Sequence, residues 1–507
     1  MAMHIDAGPV PSYGRTATRI WLTSSLPWLG VAALFAAAMA MRHVVAANTD
    51  VSWLLIAGER WLDGQRLYSD IVETNPPMAV LIYVPGILIA RALGIAAEIV
   101  VDGLIFAAIA VSLAITARIL KNSSALAPGQ RWPLALLAVT VLTILPVQVF
   151  GQREHIAVIE LFPALGVLAL RIRRETPPAW AIAMAGLGLG LALSFKPHFV
   201  IPVLCCLGVA ALHLKSWRII FAAEHFIAAA VIAGYGVCIV VFFPEYLAVM
   251  APLLRDVYTI GLPLAGMLEK PAVPVWGIAL IGAMLVKRGK AFDSADALLI
   301  AASLGFGLIY FLQRKGWPYH SYPMMAFALL AFGCAMMSSH DRTALGRGWF
   351  AGASAVLAAL FVLSMVWFNH SLDARPLQAA VARLGPHPII LAISGNAGIA
   401  HPLTRAVGGI WASREQELLV ASYDRYLRGT ESPDQQTLAN LDRYAARERE
   451  WLIADFRKYR PTVVLVDNFT DDWTGWAHAS PELVDLLNGY RLSETVMGVD
   501  IYVKRAD

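Results

Sequence analysis

The sequence predicts a polytopic α-helical membrane protein of about eleven spans, with a re-entrant or interfacial element in its first outer loop and a small C-terminal α/β soluble domain. Three observations predict it. Of 507 residues 58% are hydrophobic and 15% charged, where a soluble domain carries about 25% charge. The apolar residues gather into long runs, and six clusters of Lys and Arg sit between them. From Asp373 onward the runs stop, and strand-like and helical patterns alternate.

The apolar runs lie near 21–41, 77–93, 96–118, 132–150, 156–170, 178–195, 199–214, 219–243, 274–286, 294–312, 323–338 and 349–368. Several fall short of the roughly 20 residues a perpendicular span needs, so their ends must extend into flanking polar residues. The first run follows a polar N-terminus and precedes no small-residue cleavage site, which predicts a retained anchor. The basic clusters are Arg15 and Arg19; Arg118, Lys121 and Arg131; Arg171, Arg173 and Arg174; Lys215 and Arg218; Lys287, Arg288 and Lys290; and Arg342 and Arg347. All fall on one side, the cytoplasmic one, only if 77–93 does not cross. Tyr83-Val84-Pro85-Gly86 at its middle is where a membrane helix breaks or turns back. A twelve-span alternative, with 77–93 crossing, puts at least one basic cluster on the wrong side.

This topology collects a polar set on the outer face. The first outer loop, 42–95, is the longest, and within it Asn48 to Pro77 is polar, acidic and aromatic. Its start predicts a helix at the membrane surface, with Ser52, Glu59 and Asp63 on one face and Val51, Leu54, Leu55 and Leu62 on another. Joining it are Gly151 to His155 (with Arg153 and Glu154), Lys196-Pro197-His198, the stretch 244–273, and Gln313 to His320. Acids and bases together at span ends usually mark a site. The four cysteines (Cys205, Cys206, Cys238, Cys334) lie in apolar runs, which argues against a disulfide framework or a Cys-based metal site.

The C-terminal domain, 373–507, shows strand-like runs at Pro388–Ser394, Thr462–Asp467 and Val499–Lys504. Helical patterns fall at about 376–384, 414–428, 434–459 and 481–489, which predicts a partly parallel sheet. The turn Ser394-Gly395-Asn396-Ala397-Gly398 has the composition of a phosphate cradle, although glycine turns of this kind are mostly just turns.

An acidic residue just after the first span, a G-x-x-x-Y-x-D stretch (Gly64 to Asp70) followed by the Pro76-Pro77 pair, and an acid in a second outer turn together resemble the GT-C superfamily. These are membrane glycosyltransferases that use polyprenyl-phosphate sugars, among them the aminoarabinose and protein O-mannosyl transferases. The resemblance covers roughly residues 15 to 370 in layout, within a 1–372 membrane domain. It implies that Asp50 is the catalytic base or a metal ligand and that Glu154 is the second-turn acid. Mg or Mn would then be the cofactor, although a lone Asp50 stands where an Asp-Glu pair is common. It also implies a polyprenyl-phosphate sugar donor, a lipid, glycan or protein acceptor, membrane lipids as surroundings, and no nucleic acid. The setting would be a bacterial inner membrane, with the N-terminus cytoplasmic and the C-terminal domain periplasmic.

A polyprenyl-phosphate sugar carries its own leaving group, so the chemistry asks for cations on the phosphate and a base on the acceptor hydroxyl. Arg153, Lys196, Arg314 and Lys315 are the phosphate candidates and Asp50 the base. Tyr68, Asp70, Glu73, His155, His198, Trp317, Tyr319 and His320 are candidate substrate contacts. Each has an ordinary competing role. Asp50 fits an N-cap, Glu154 an ion pair with Arg153, and His155 an interfacial hydrogen bond. Lys196 fits a snorkelling lysine, Arg314 and Lys315 interfacial anchors, and Trp317 and Tyr319 an aromatic belt. Tyr68, Asp70 and Glu73 fit residues that only shape the loop. A transporter or lipid flippase is the rival class, for which Asp102 and Glu224 are the charges to inspect, and a non-catalytic scaffold is a third.

Overall fold

The computed structural model describes residues 13–258, 261–287, 291–338, 347–369, 372–430, 433–469 and 471–505. Arg288, Lys290 and Arg342 of the basic clusters lie outside the described residues, as do the side chains of Arg15, Arg19 and Arg347. The chain opens with α1 (Tyr13–Val44), α2 (Thr49–Leu62), α3 (Met78–Leu81), α4 (Val84–Leu93), α5 (Ala97–Leu120), α6 (Pro128–Thr143), α7 (Arg153–Ile172), α8 (Ala179–Phe195), α9 (Val200–Leu214) and α10 (Ala223–Phe242). Two π-helical turns and the short α11 (Ala251–Leu253) and α12 (Leu264–Leu268) lead to α13 (Ala272–Lys287), α14 (Ser294–Gln313), α15 (Pro318–Ser338) and α16 (Arg347–Phe368).

Eight of these helices are long and apolar enough to cross a membrane. Three more, α6, α8 and α13, have 16, 17 and 16 residues and join the same two ends of the bundle. Small residues let neighbours approach: a Cβ on Gly186 of α8 would lie 2.7 Å from the Glu224 carbonyl of α10, and one on Gly305 of α14 would lie 2.3 Å from Cα of Pro202. The segment 77–93 does not cross. It breaks at Ile82–Tyr83 into α3 and α4. Asn75 before it lines the same cavity as Asp50, while Glu98 after it bonds Arg405 of the C-terminal region, so both of its ends lie on one face.

Expectation and structure part at several places. The polar face of α2 is open to water only at its end: the C-terminal region packs over its start and buries Ser52, while Glu59 is half-buried and Asp63 exposed. Asp102 and Glu224 are not mid-span charges: each is near a helix start and paired, Asp102 with Arg42 at 3.0 Å and Glu224 with Arg171 at 2.6 Å. The acid deep inside a span is Glu160 of α7, which the sequence reading passed over.

Beyond α16 come α17 (Arg375–Ala382), β1 (Ile389–Ile393), α18 (His401–Ala406), β2 (Ile410–Trp411), α19 (Leu419–Thr430), α20 (Gln435–Tyr459), β3 (Val463–Asp467), α21 (Trp473–His478), α22 (Pro481–Leu487), β4 (Tyr490–Val496) and β5 (Val499–Lys504). The sheet runs β2-β1-β3-β5-β4, with β1 parallel to β2 and β3, and β5 antiparallel to both β3 and β4. Its central strand β3 is buried throughout, as its unbroken Val-Val-Leu-Val run requires. The sheet is partly parallel, as expected. The two-residue β2 and the hairpin strand β4, whose residues 491–495 are largely solvent-facing, escaped the sequence pattern.

Candidate active site

Asn48, not Asp50, caps α2: its Oδ1 accepts the Val51 N–H at 3.0 Å. That leaves the Asp50 carboxylate, in the first turn, for other partners. Its Oδ2 accepts from Gln152 Nε2 at 3.1 Å and Arg153 Nη2 at 3.3 Å, and its Oδ1 accepts from Gln416 Nε2 at 3.2 Å. Two donors come from the start of α7 and one from the C-terminal region, so a short polar contact set ties three distant stretches of chain. Arg153 is buried, and its Nε and Nη1 have no hydrogen-bond partner among the described residues. Such a group is costly to leave unsatisfied and marks a place built for an acceptor.

Asp50 and Arg153 line a cavity of about 680 Å³ between the bundle and the C-terminal region. Glu73, Arg314, Lys315, Trp317 and Tyr319 line it too. Glu73 is buried, held by Trp53 Nε1 at 2.5 Å and Asn75 N at 2.7 Å, and burial raises its carboxyl above the usual range. Arg314 ends α14 in a left-handed conformation, φ 52°, and its Nε donates to the Leu262 carbonyl at 2.6 Å. Lys315 donates to the Tyr258 carbonyl at 2.5 Å and the Tyr423 hydroxyl at 2.7 Å, with its ammonium over both rings. Burial pulls its pKa down to about 8.

A second, deeper layer lies behind this wall. Glu154 is buried, and its ion pair is with Lys196 at 2.5 Å rather than with its neighbour Arg153. Lys196 also touches His320 Nε2 at 3.2 Å, and His320 packs against Trp317 and Tyr319. Glu154, Lys196 and His320 therefore back the cavity instead of facing it. The two carboxylates make a poor metal site: Asp50 faces guanidinium and amide donors, and Glu154 holds an ammonium. Among the described residues, the His, Cys, Asp and Glu ligand atoms that cluster tightly are those of Asp293, Asp296 and Cys334, at the far end of the bundle. There Lys287 already holds Asp296.

Four candidates are placed elsewhere. His155 is buried, bonded to the Gly151 N–H at 3.1 Å and the Leu142 carbonyl at 2.8 Å, and fixes the turn before α7. Tyr68 adopts φ 71° and is pinned by the Ile71 carbonyl and by its own hydroxyl on the Asn75 carbonyl at 2.8 Å, so it shapes the loop. Asp70 is half-buried and pairs with Arg66 at 3.4 Å. His198 packs edge-on against Phe199 behind the cavity.

What the sequence reading missed comes mainly from the C-terminal region. Gln416, Glu415 and Glu417 sit on the loop after β2, seated on α2 by the buried His401, whose ring packs on Trp53 and bonds the Gln416 carbonyl at 2.6 Å. The cluster Glu-Gln-Glu at 415–417 is a weak signal inside what reads as a helix start. Burial raises the Glu417 carboxyl to about 7 and that of Glu448, whose oxygens accept the Val420 and Ala421 N–H groups, to about 8. Glu415 is pushed well above its ordinary range by burial and by Glu448. The Ser394–Gly398 turn does line the cavity. Three of its amides, however, are already engaged: Asn396 with Ser394 Oγ, Ala397 with Glu417 and Gly398 with Asn396 Oδ1. That leaves no open cradle in those amides for a phosphate.

No protein-family model matches this chain and no curated protein matches it. Among solved structures it is similar to ArnT from Cupriavidus metallidurans in the apo state, at 12% identity and TM-score 0.57, over 96% of this chain and 98% of that one. The undecaprenyl phosphate-bound form of ArnT matches at 12% identity and TM-score 0.54, with the same coverage. An arabinofuranosyltransferase, AftD from mycobacteria, aligns at TM-score 0.44 and 13% identity, over 94% of this chain and 40% of that one. At such identity the ArnT likeness establishes the fold, and it does so from the membrane bundle through the C-terminal sheet. The shared fold, a helical membrane bundle with a small C-terminal sheet, is the one the sequence predicted.

Proposed function

We propose that this chain is an inverting glycosyltransferase that moves a sugar from a polyprenyl phosphate to a hydroxyl acceptor at the outer face of a bacterial inner membrane. One observation carries the reading: the carboxylate of Asp50 and the half-satisfied guanidinium of Arg153 share one contact at the cavity wall. The ArnT likeness, which includes a form bound to undecaprenyl phosphate, supports the donor class. The described basic residues Lys121, Arg131 and Arg173 meet at the end of the bundle opposite the cavity, which supports an outward-facing site. We take 1–372 as the catalytic membrane domain and 373–507 as a second domain that closes the cavity.

In the proposed step the acceptor oxygen attacks the anomeric carbon as Asp50 takes its proton. The bond from that carbon to the phosphate oxygen breaks, and polyprenyl phosphate leaves from the opposite face. The donor phosphodiester carries one negative charge and the departing phosphate monoester two. Asp50 loses its charge at the moment the phosphate gains one. Arg153 lies against both groups, so its positive charge follows the shift without moving far, and stabilisation grows toward the transition state. Arg314 and Lys315 extend the cationic wall. We propose that no divalent metal at Asp50 and Glu154 takes part.

The test is transfer from a panel of synthetic polyprenyl-phosphate sugars by the purified protein, wild type beside Asp50→Asn, with and without chelator. Transfer or slow donor hydrolysis that vanishes in the variant and survives chelation is expected. A well-folded wild type that neither binds nor turns over any donor would overturn the reading, and loss of activity on chelation would overturn the metal-free step.

A further inference from the structure

The cavity has two unlike walls. Its lining holds three cations, Arg153, Arg314 and Lys315, against six carboxyl groups, those of Asp50, Glu73, Glu415, Glu417, Glu448 and Asp471. The cations come from the ends of membrane spans. Four of the acids come from the C-terminal region. Glu415 Oε2 is buried and has no hydrogen-bond partner among the described residues, although the residue lines the cavity. A buried lone acceptor of this kind wants a donor from a ligand.

Resting on the glycosyltransferase reading, we infer that the wall formed by Glu415, Glu417, Asn396 and Ser422 is the acceptor subsite, and that it takes a neutral, polyhydroxylated glycan and rejects phosphorylated acceptors. The cationic wall is taken by the donor: Arg153 serves Asp50 and the donor phosphate, and Arg314 and Lys315 stand beside it on the same wall. A second phosphate would have to lie among carboxyl groups that already repel one another. Sugar hydroxyls meet no such barrier, since they donate to carboxylates and accept from protonated acids, amides and the Ser422 hydroxyl. Burial of Glu415 and Glu417 makes the wall rich in both kinds of partner near neutral pH.

Intrinsic tryptophan fluorescence reads this directly, because Trp53 and Trp317 line the cavity. The full-length protein in detergent is titrated with mannotriose, maltotriose and arabinotriose and with the terminal phosphomonoester of each, and separately with polyprenyl phosphate. At least one neutral trisaccharide is expected to bind at least about tenfold more tightly than its phosphate. Glu417→Gln keeps an acceptor for the Ala397 N–H while removing a charge, and is expected to narrow that ratio at least about threefold. Glu415→Gln provides the same readout should the first variant fold poorly. Equal or tighter binding of the phosphorylated sugars overturns the inference, as does a ratio unmoved in both variants. Failure of every trisaccharide on a protein that still binds polyprenyl phosphate overturns it while sparing the transferase reading; loss of polyprenyl phosphate binding as well brings down both.

Discussion

The wall of the cavity built by membrane spans and the wall built by the C-terminal region use charge in opposite ways. On the first, cations sit at helix ends: Arg153 opens α7, while Arg314 and Lys315 close α14. On the second, acids sit on a loop braced by a buried histidine. Gln416 joins the two through Asp50. The difference teaches that the bundle alone makes half a site. In the proposed reaction the spans grip the phosphate, while Asp50, the proposed base, has its full set of partners only when the C-terminal loop is seated.

The largest effect should come from breaking the shared contact. Asp50→Asn should lower transfer by about 10²–10⁴-fold, with thermal stability nearly unchanged, as read by activity beside a melting curve. Arg153→Lys should cost about 10²-fold in kcat, because a compact ammonium cannot span Asp50 and a phosphate as a planar fork does. Lys315 gives a pH test. Its ammonium loses its proton as pH rises through about 8, so polyprenyl phosphate affinity should hold below that and weaken above it. In Lys315→Met affinity should be lower at neutral pH, and the decline near 8 should be gone. The smallest effect is expected at Arg405, whose Nη1 and Nη2 reach Glu59 at 2.8 and 3.0 Å and which also bonds Glu98, clamping the C-terminal region to the first loop. Arg405→Ala should raise acceptor KM by about threefold with kcat little changed, since the partners are about a third exposed and such pairs contribute on the order of 1 kcal/mol. An equal loss in kcat there would mean that the two walls are not separable.

Much of the bundle was legible because membrane crossing leaves a long apolar record. The broken segment 77–93 was legible for the same reason in reverse: Pro85, in the first turn of α4, prevents a continuous helix from α3, and the basic clusters disfavour a crossing. The site was legible only on its membrane wall. Arg153, Arg314, Trp317 and Tyr319 stand out as polar or aromatic groups between apolar runs and do line the cavity. Glu154, Lys196 and His320 stand out equally, yet they pair among themselves behind it, since sequence places a residue at a span end without saying which way it points. The acidic wall was barely legible: the Ser394–Gly398 turn stood out, and it lies beside these acids, but the acids themselves did not. Glu415 and Glu417 sit in an ordinary polar stretch, and only the folding of a distant loop onto α2 brings them to Asp50. Asn48 was overlooked as a cap because the neighbouring Asp50 is as good a cap by type.

The half-crossing pair α3–α4 has a mechanical consequence. Both of its ends lie on the cavity face, and it leaves Leu88 and Leu93, 50% and 64% exposed, without protein cover. A pair that enters the bilayer from one side alone would broaden the protein in that leaflet, and wedge-shaped solutes relieve or add to lateral stress according to the spontaneous curvature of the lipids around them. Turnover should therefore respond to the proportion of cone-shaped lipid in a vesicle even when the headgroup charge is held constant.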